Sequence, residues 1–227
     1  MPSLIIFDFD GTLVDSEFLA AQVEADLLTK AGFPISAEEI SEAYAGLTFK
    51  DILLRIEAIA QVPLSASLIG EAEALVDRRL RREVREIEGA SAAVLAAGPR
   101  RCICSNSRME RIRFMLDRTA LGRLFGDEDV ISALSIPSGR TKPAPDVFLF
   151  AAERFQADPA DTFVVEDSVH GVHGAREAGM RVIGFTGASH SYPGHADALT
   201  EAGAETVIRR WADFPGVLAA LAEWSDA

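Results

Sequence analysis

Cysteine is nearly absent from this chain, and the two that occur, Cys102 and Cys104, flank Ile103 inside an apolar run. That spacing offers neither a disulfide framework nor a CxxC pair, so both read as buried, reduced thiols. Basic residues are scarce as well: 22 Lys and Arg face 35 Asp and Glu, for a net charge of −13 at pH 7. A surface of that sign does not attract nucleic-acid phosphates, so no nucleic-acid partner is expected. It also repels small anions at long range, so an anionic ligand needs locally concentrated positive charge or a bound metal. Long apolar segments, a basic leader, low-complexity tracts and internal repeats are all missing. No membrane association is expected, and the expectation is a monomeric, cytoplasmic chain.

What is present is ordinary globular composition, 48% hydrophobic and 25% charged, over 227 residues. That length suits one core domain carrying a smaller insert. Short apolar runs at 4–9, 101–104, 130–132, 162–165, 181–185 and 206–208 read as strands, and most intervals between them are long enough for a helix. This alternation predicts an α/β fold, a doubly wound, Rossmann-like parallel sheet whose ligands gather at the carboxyl ends of the strands. Asp8, Asp10, Ser105, Glu166 and Asp167 all fall at such ends. The stretch 16–88 breaks the pattern. Helices are expected there at 18–31, 37–45, 49–61 and 65–85, giving a helical domain at 16–88 inserted in a core of 1–15 and 89–227. The Arg pairs at 78–79 and 81–82 are interleaved with acids and read as a solvated helix face.

Asp8 and Asp10 lie two apart at the end of the first strand, where their side chains can leave on one side. Two carboxylates held close call for a cation between them, and Mg2+, which prefers oxygen ligands, is the economical answer. Alone, Asp10-Gly11 would be a turn pair. The longer string Asp8-Phe9-Asp10-Gly11-Thr12-Leu13-Val14-Asp15-Ser16, however, resembles the first signature motif of the haloacid dehalogenase superfamily, DxDGTLxDS. Ser105-Asn106-Ser107 resembles its second motif, Lys142-Pro143 its third, and Glu166-Asp167-Ser168 with Gly171 its fourth, in the same chain order.

The resemblance implies a phosphoric monoester hydrolase in which Asp8 attacks phosphorus and Asp10 serves as acid and then base. It implies Ser105, Asn106 and Lys142 on the phosphoryl group, and Asp8, Asp10, Glu166 and Asp167 around Mg2+, with Glu166 direct or through water. Dehalogenases of the superfamily lack an acid at the place of Asp10, which favours phosphoryl transfer. The insert matches the helical cap of the subgroup holding beta-phosphoglucomutases and small-molecule phosphatases, and Glu17, Thr48 and Lys50 are its expected substrate contacts. Mutases of that subgroup carry a cap-side His and a loop Arg where this chain has Ala20 and Phe49, so hydrolysis of a small sugar or sugar-acid phosphate is expected ahead of mutase action or non-catalytic metabolite binding. Of the four histidines, His170 and His173 are too few for a closed zinc site, and His190 and His195 are expected at the cleft rim.

Overall fold

The computed structural model of the protein describes residues 2–44, 48–60 and 67–224. In chain order the elements are β1 (Leu4–Phe7), α1 (Glu17–Lys30), α2 (Ala37–Ala43), α3 (Phe49–Ala60), α4 (Ser67–Glu83), α5 (Ala90–Ala96), β2 (Arg101–Ser105), α6 (Met109–Arg118), β3 (Val130–Ser132), α7 (Asp146–Phe155), β4 (Thr162–Glu166), α8 (Val169–Glu177), β5 (Arg181–Phe185), α9 (His195–Glu201), β6 (Thr206–Ile208) and α10 (Phe214–Trp224). The strands form one sheet in the order β3-β2-β1-β4-β5-β6, and every neighbouring pair is parallel. The expected doubly wound sheet is therefore found. Ala45, Gly46, Leu47, Gln61 and Ser65, which bear on the expected helix ends and cap loop, lie outside the described residues.

Burial on both faces explains why β1 reads as an unbroken apolar run. Ile5 and Phe7 join a cluster with Ile103, Phe163, Phe185, Trp211 and Phe214, while Leu4 and Ile6 face Cys102, Cys104, Val147, Phe148 and Val164. The two cysteines are free and buried in the second cluster. The first strand is shorter than the run predicts. Asp8 keeps one ladder bond, its N–H donating to the Val165 carbonyl at 2.9 Å, and the chain then turns at Gly11 (φ +75°).

The chain leaves the sheet layer and returns to it at adjacent points. Asp15 N–H donates to the Arg85 carbonyl at 3.0 Å and Ile87 N–H to the Leu13 carbonyl at 2.9 Å, so 13–15 and 85–87 run side by side. All described elements between these crossings are helical, and they carry a cluster of their own from Ala21, Ala25, Leu28, Ile40, Ile52 and Ile56. Helix α1 serves both layers, because its Val23 and Leu27 join Ala72, Val76 and Leu80 of α4 in the large sheet cluster.

Trp211 ties this core to the turn after β1. Its ring stacks on Phe185 at a centroid distance of 4.5 Å, and its Nε1–H donates to the Thr12 carbonyl at 3.2 Å. Trp211→Phe should keep much of the packing but leave that buried carbonyl unpaired, lowering stability by about 1–3 kcal/mol in denaturant titration. Trp211→Ala should cost about 3–5 kcal/mol. A Trp211→Phe variant as stable as wild type would show that the hydrogen bond contributes nothing.

Candidate active site

Strand ends β1, β2 and β4 lie side by side in the sheet and deliver their acids and hydroxyls to one place. Carboxylate oxygens of Asp8, Glu166 and Asp167, all buried, lie within 4.8 Å of one another. Lys142 enters from the segment before α7. Its Nζ donates to Asp8 Oδ1 and to Glu166 Oε1, each at 2.5 Å, and to the Cys104 carbonyl at 2.8 Å. The Lys142 side chain is 3% exposed and that of Glu166 0%. A flexible lysine is thus fixed as a point charge.

Asn106 holds the lysine backbone rather than its ammonium. Asn106 Oδ1 accepts from Lys142 N–H at 2.9 Å and its Nδ2–H donates to the Lys142 carbonyl at 3.3 Å. Ser105 Oγ donates to Asp10 Oδ2 at 3.0 Å and accepts from Ser107 N–H at 2.9 Å, while Ser16 Oγ donates to Asp10 Oδ1 at 2.9 Å. Asp10 therefore stands beside the carboxylate cluster, outside the Asp8, Glu166 and Asp167 group, with both oxygens engaged.

The SxxG pattern after β4 has a steric cause. Ser168 caps α8 by accepting from Gly171 N–H at 3.0 Å, and its own N–H and Oγ–H donate to Glu166 Oε2 at 3.1 and 3.0 Å. A Cβ on Gly171 would lie 1.9 Å from the Glu166 carboxyl carbon, so only glycine lets that carboxylate lie against the helix start.

Four carboxyls crowd one ammonium here. Burial, followed by the charges of Glu166, Asp167 and Asp10, holds the Asp8 carboxyl well above its usual range despite the pull of Lys142. Glu166 is raised by burial in the same way. Burial alone would depress the Lys142 ammonium, but Asp8 and Glu166 outweigh it and hold the lysine above its usual value. Buried oxygen donors with uncompensated negative charge fit a hard divalent cation such as Mg2+, and Asp8, Glu166 and Asp167 are the residues that could hold one.

Two expectations for the histidines are revised. His190 is not at a solvated rim: its side chain is 13% exposed and its Nε2–H donates to Asp167 Oδ2 at 3.0 Å. Burial pulls its ring down, but the bond and charge of Asp167 raise it further. His195 is buried, with Nε2–H donating to the Asp167 carbonyl at 2.7 Å. His170 and His173 lie on α8 away from any carboxylate group of this kind among the described residues. No local sequence signal marked His190, because its partner Asp167 stands just past β4, distant in the chain.

Of the expected cap contacts, Thr48 and Lys50 are exposed, while Glu17 lies near Asp10. Thr48 is exposed and uses its hydroxyl at the start of α3, accepting from Asp51 N–H at 3.2 Å and donating to Asp51 Oδ2 at 2.6 Å. Lys50 is exposed on α3. Glu17 begins α1, open to solvent on one side and crowded on the others; lost hydration, then Asp10, pushes its carboxyl up to about 7. On the same helix Glu24 is half-buried and pushed up to about 8, first by burial and then by Glu17.

Because native Glu24 titrates at about 8 and its unfolded counterpart near the ordinary value of 4.5, the native state binds the extra proton between those values. Its contribution to stability is full below 4.5 and is lost as pH rises through 8. Glu24→Gln should therefore melt higher than wild type at pH 8.5 and level with it near pH 4, as read by thermal denaturation across pH. A constant difference at all pH values would contradict the assignment.

The sequence matches the profile of the haloacid dehalogenase-like hydrolases over residues 5–185. It is 28% identical over 193 residues to the 6-phosphogluconate phosphatase of Escherichia coli (strain K12), covering 83% of this chain and 85% of that protein. Among solved structures, a haloacid dehalogenase-like protein of Agrobacterium tumefaciens superposes with a TM-score of 0.94 at 55% identity, covering 98% of this chain and 100% of that one. An HAD family hydrolase of Deinococcus radiodurans R1, solved with bound phosphate and sodium, superposes with a TM-score of 0.80 at 30% identity over 97% of this chain and 95% of that one. A shared profile over residues 5–185, together with the shared fold, places the chain in the haloacid dehalogenase-like hydrolase family.

Proposed function

We propose that the protein is a magnesium-dependent phosphatase acting on a small phosphorylated metabolite, a sugar or sugar-acid phosphate. The carrying observation is the Lys142 ammonium held 2.5 Å from Asp8 inside a buried carboxylate cluster, with Asp10 beside it on two serine hydroxyls. Phosphate bound in the Deinococcus relative and the sugar-acid phosphatase activity in the name of the Escherichia relative support the same reading.

In this reading an Asp8 carboxylate oxygen attacks phosphorus and the ester P–O bond breaks, the leaving oxygen taking a proton from Asp10. Water then attacks the aspartyl-phosphate, Asp10 takes its proton, the bond to Asp8 breaks, and inorganic phosphate leaves with Asp8 regenerated. Lys142 holds Asp8 in line and meets the phosphoryl oxygens together with Ser105 and the amide groups at the start of α6. Asn106 keeps Lys142 in place through its backbone. When bound, Mg2+ supplies positive charge against the phosphoryl oxygens, and Asp8, Glu166 and Asp167 would hold it, with Asp10 beside them.

Residues 16–88 act as a cap that excludes bulk water and contacts the rest of the substrate through Glu17, Thr48 and Lys50. Ala20 and Phe49 pack against the apolar core cluster, leaving no cap-side His or Arg at those places to serve a mutase.

Incubation with Mg2+ and a panel of sugar and sugar-acid phosphates should release inorganic phosphate, and chelation by EDTA should stop it. Asp8→Asn should lower turnover by at least about a thousandfold, since it removes the nucleophile. Asp10→Asn should lower it by about 10²–10⁴-fold. Undiminished release by the Asp8 variant would overturn the mechanism. Conversion of a hexose 1-phosphate to the 6-phosphate without phosphate release would replace hydrolase by mutase, and binding without turnover would leave a metabolite-binding protein.

A further inference from the structure

The loop after β5 reaches back over the carboxylate cluster and is fastened there at three points. Ser189 donates to Asp15 through its N–H at 3.1 Å and also through its hydroxyl; His190 reaches the Asp167 carboxylate, and His195 the Asp167 carbonyl. Tyr192 stacks on the His195 ring at 4.7 Å, stiffening the loop from behind.

Asp167 is thereby gripped on both oxygens, Oδ1 by the buried Thr12 hydroxyl at 3.1 Å and Oδ2 by His190 Nε2 at 3.0 Å. Two donors on opposite oxygens fix the plane of a carboxylate and still leave each oxygen a lone pair. The approach of His190 depends on a missing side chain in the first motif. A Cβ at Gly11 would lie 2.1 Å from Asp167 Oδ2 and 2.7 Å from His190 Cε1, so the imidazole and the carboxylate close over the glycine.

From this geometry we infer that His190 is a positioning residue for the cation site, orienting Asp167 as a ligand through its Nε2–H and so setting the affinity for Mg2+. The inference rests on Asp167 being a cation ligand, as the proposed function has it. Outer-layer donors to metal-bound carboxylates generally change metal affinity by about 10–100-fold when removed. The two donors also differ in kind: Thr12 is fixed by the turn after β1, whereas His190 is carried by a loop joined to Asp15 at the exit toward the helical insert.

The test is calorimetric titration of the full chain with Mg2+ alone, which reads binding without turnover. Two variants separate the hydrogen bond from packing. His190→Phe keeps a ring but has no donor, and His190→Gln gives up the ring but offers an amide N–H. The expected result is a Mg2+ Kd raised about 10–100-fold in the Phe variant and within about threefold of wild type in the Gln variant. Affinity unchanged in the Phe variant, or lowered equally in both, would overturn the inference, since a packing role follows ring volume and not the donor. Asp167→Asn distinguishes the two levels: if it leaves Mg2+ affinity intact, or if wild type takes up no Mg2+, the metal reading falls and this inference with it. If Asp167→Asn abolishes binding while His190→Phe does not weaken it, only the role of His190 is lost.

Discussion

The site is organised by one electrostatic problem: acids from the ends of β1 and β4 are forced together, away from water, around a single buried ammonium. A buried carboxylate is tolerated only when it is paired and hydrogen-bonded. Lys142 satisfies Asp8 and Glu166 at once, and its own backbone is clamped by Asn106 from the end of β2. The remaining negative charge is met by Ser16, Ser105, Thr12, Ser168 and His190. Each motif is thus a partner of another motif. The set is one hydrogen-bonded unit drawn from distant parts of the chain.

The rest of the fold serves this unit by holding strand ends in register. Parallel pairing places β1 between β2 and β4, so Asp8, Ser105, Glu166 and Asp167 arrive together. Trp211 and Thr12 connect the aromatic core to the turn that carries Asp10 and Gly11. The helical insert is fastened differently. Its two chain crossings pair with each other, and α4 meets α6 through Asp77 with Arg108 and Arg111 at 2.8 and 2.6 Å. Ionic contacts of this half-exposed kind contribute modestly, so most of the cohesion between insert and core comes from Val23, Leu27, Ala72, Val76 and Leu80 in the large apolar cluster.

Much of this was legible in the sequence because the informative residues are contiguous with buried strands. The runs 130–132, 181–185 and 206–208 coincide with β3, β5 and β6, and the acids and hydroxyls of the motifs sit just beyond their strands. What escaped was tertiary. The partner of His190, Asp167, lies just past the end of β4, and no local pattern distinguishes the His190 loop from a solvated one. Nor does position reveal that the Asn106 side chain bonds the Lys142 backbone. The strand predicted through Phe9 ends at Phe7, because the turn that aims Asp10 has to begin inside the apolar run.

These contacts also resolve a conflict posed by composition. A chain with net charge −13 repels anions at long range, yet its site is read as one for phosphate esters. Long-range repulsion is screened beyond about 8–10 Å at physiological ionic strength, so local charge decides what happens in the cleft. There the chain sets one buried ammonium, Lys142, against Asp8 and Glu166. In the proposed function the acids beside it would hold a cation, and the cation would make an anionic basin one that accepts phosphate. On this account the surplus of acid at the site and the affinity for an anion are one device, and the metal is what connects them.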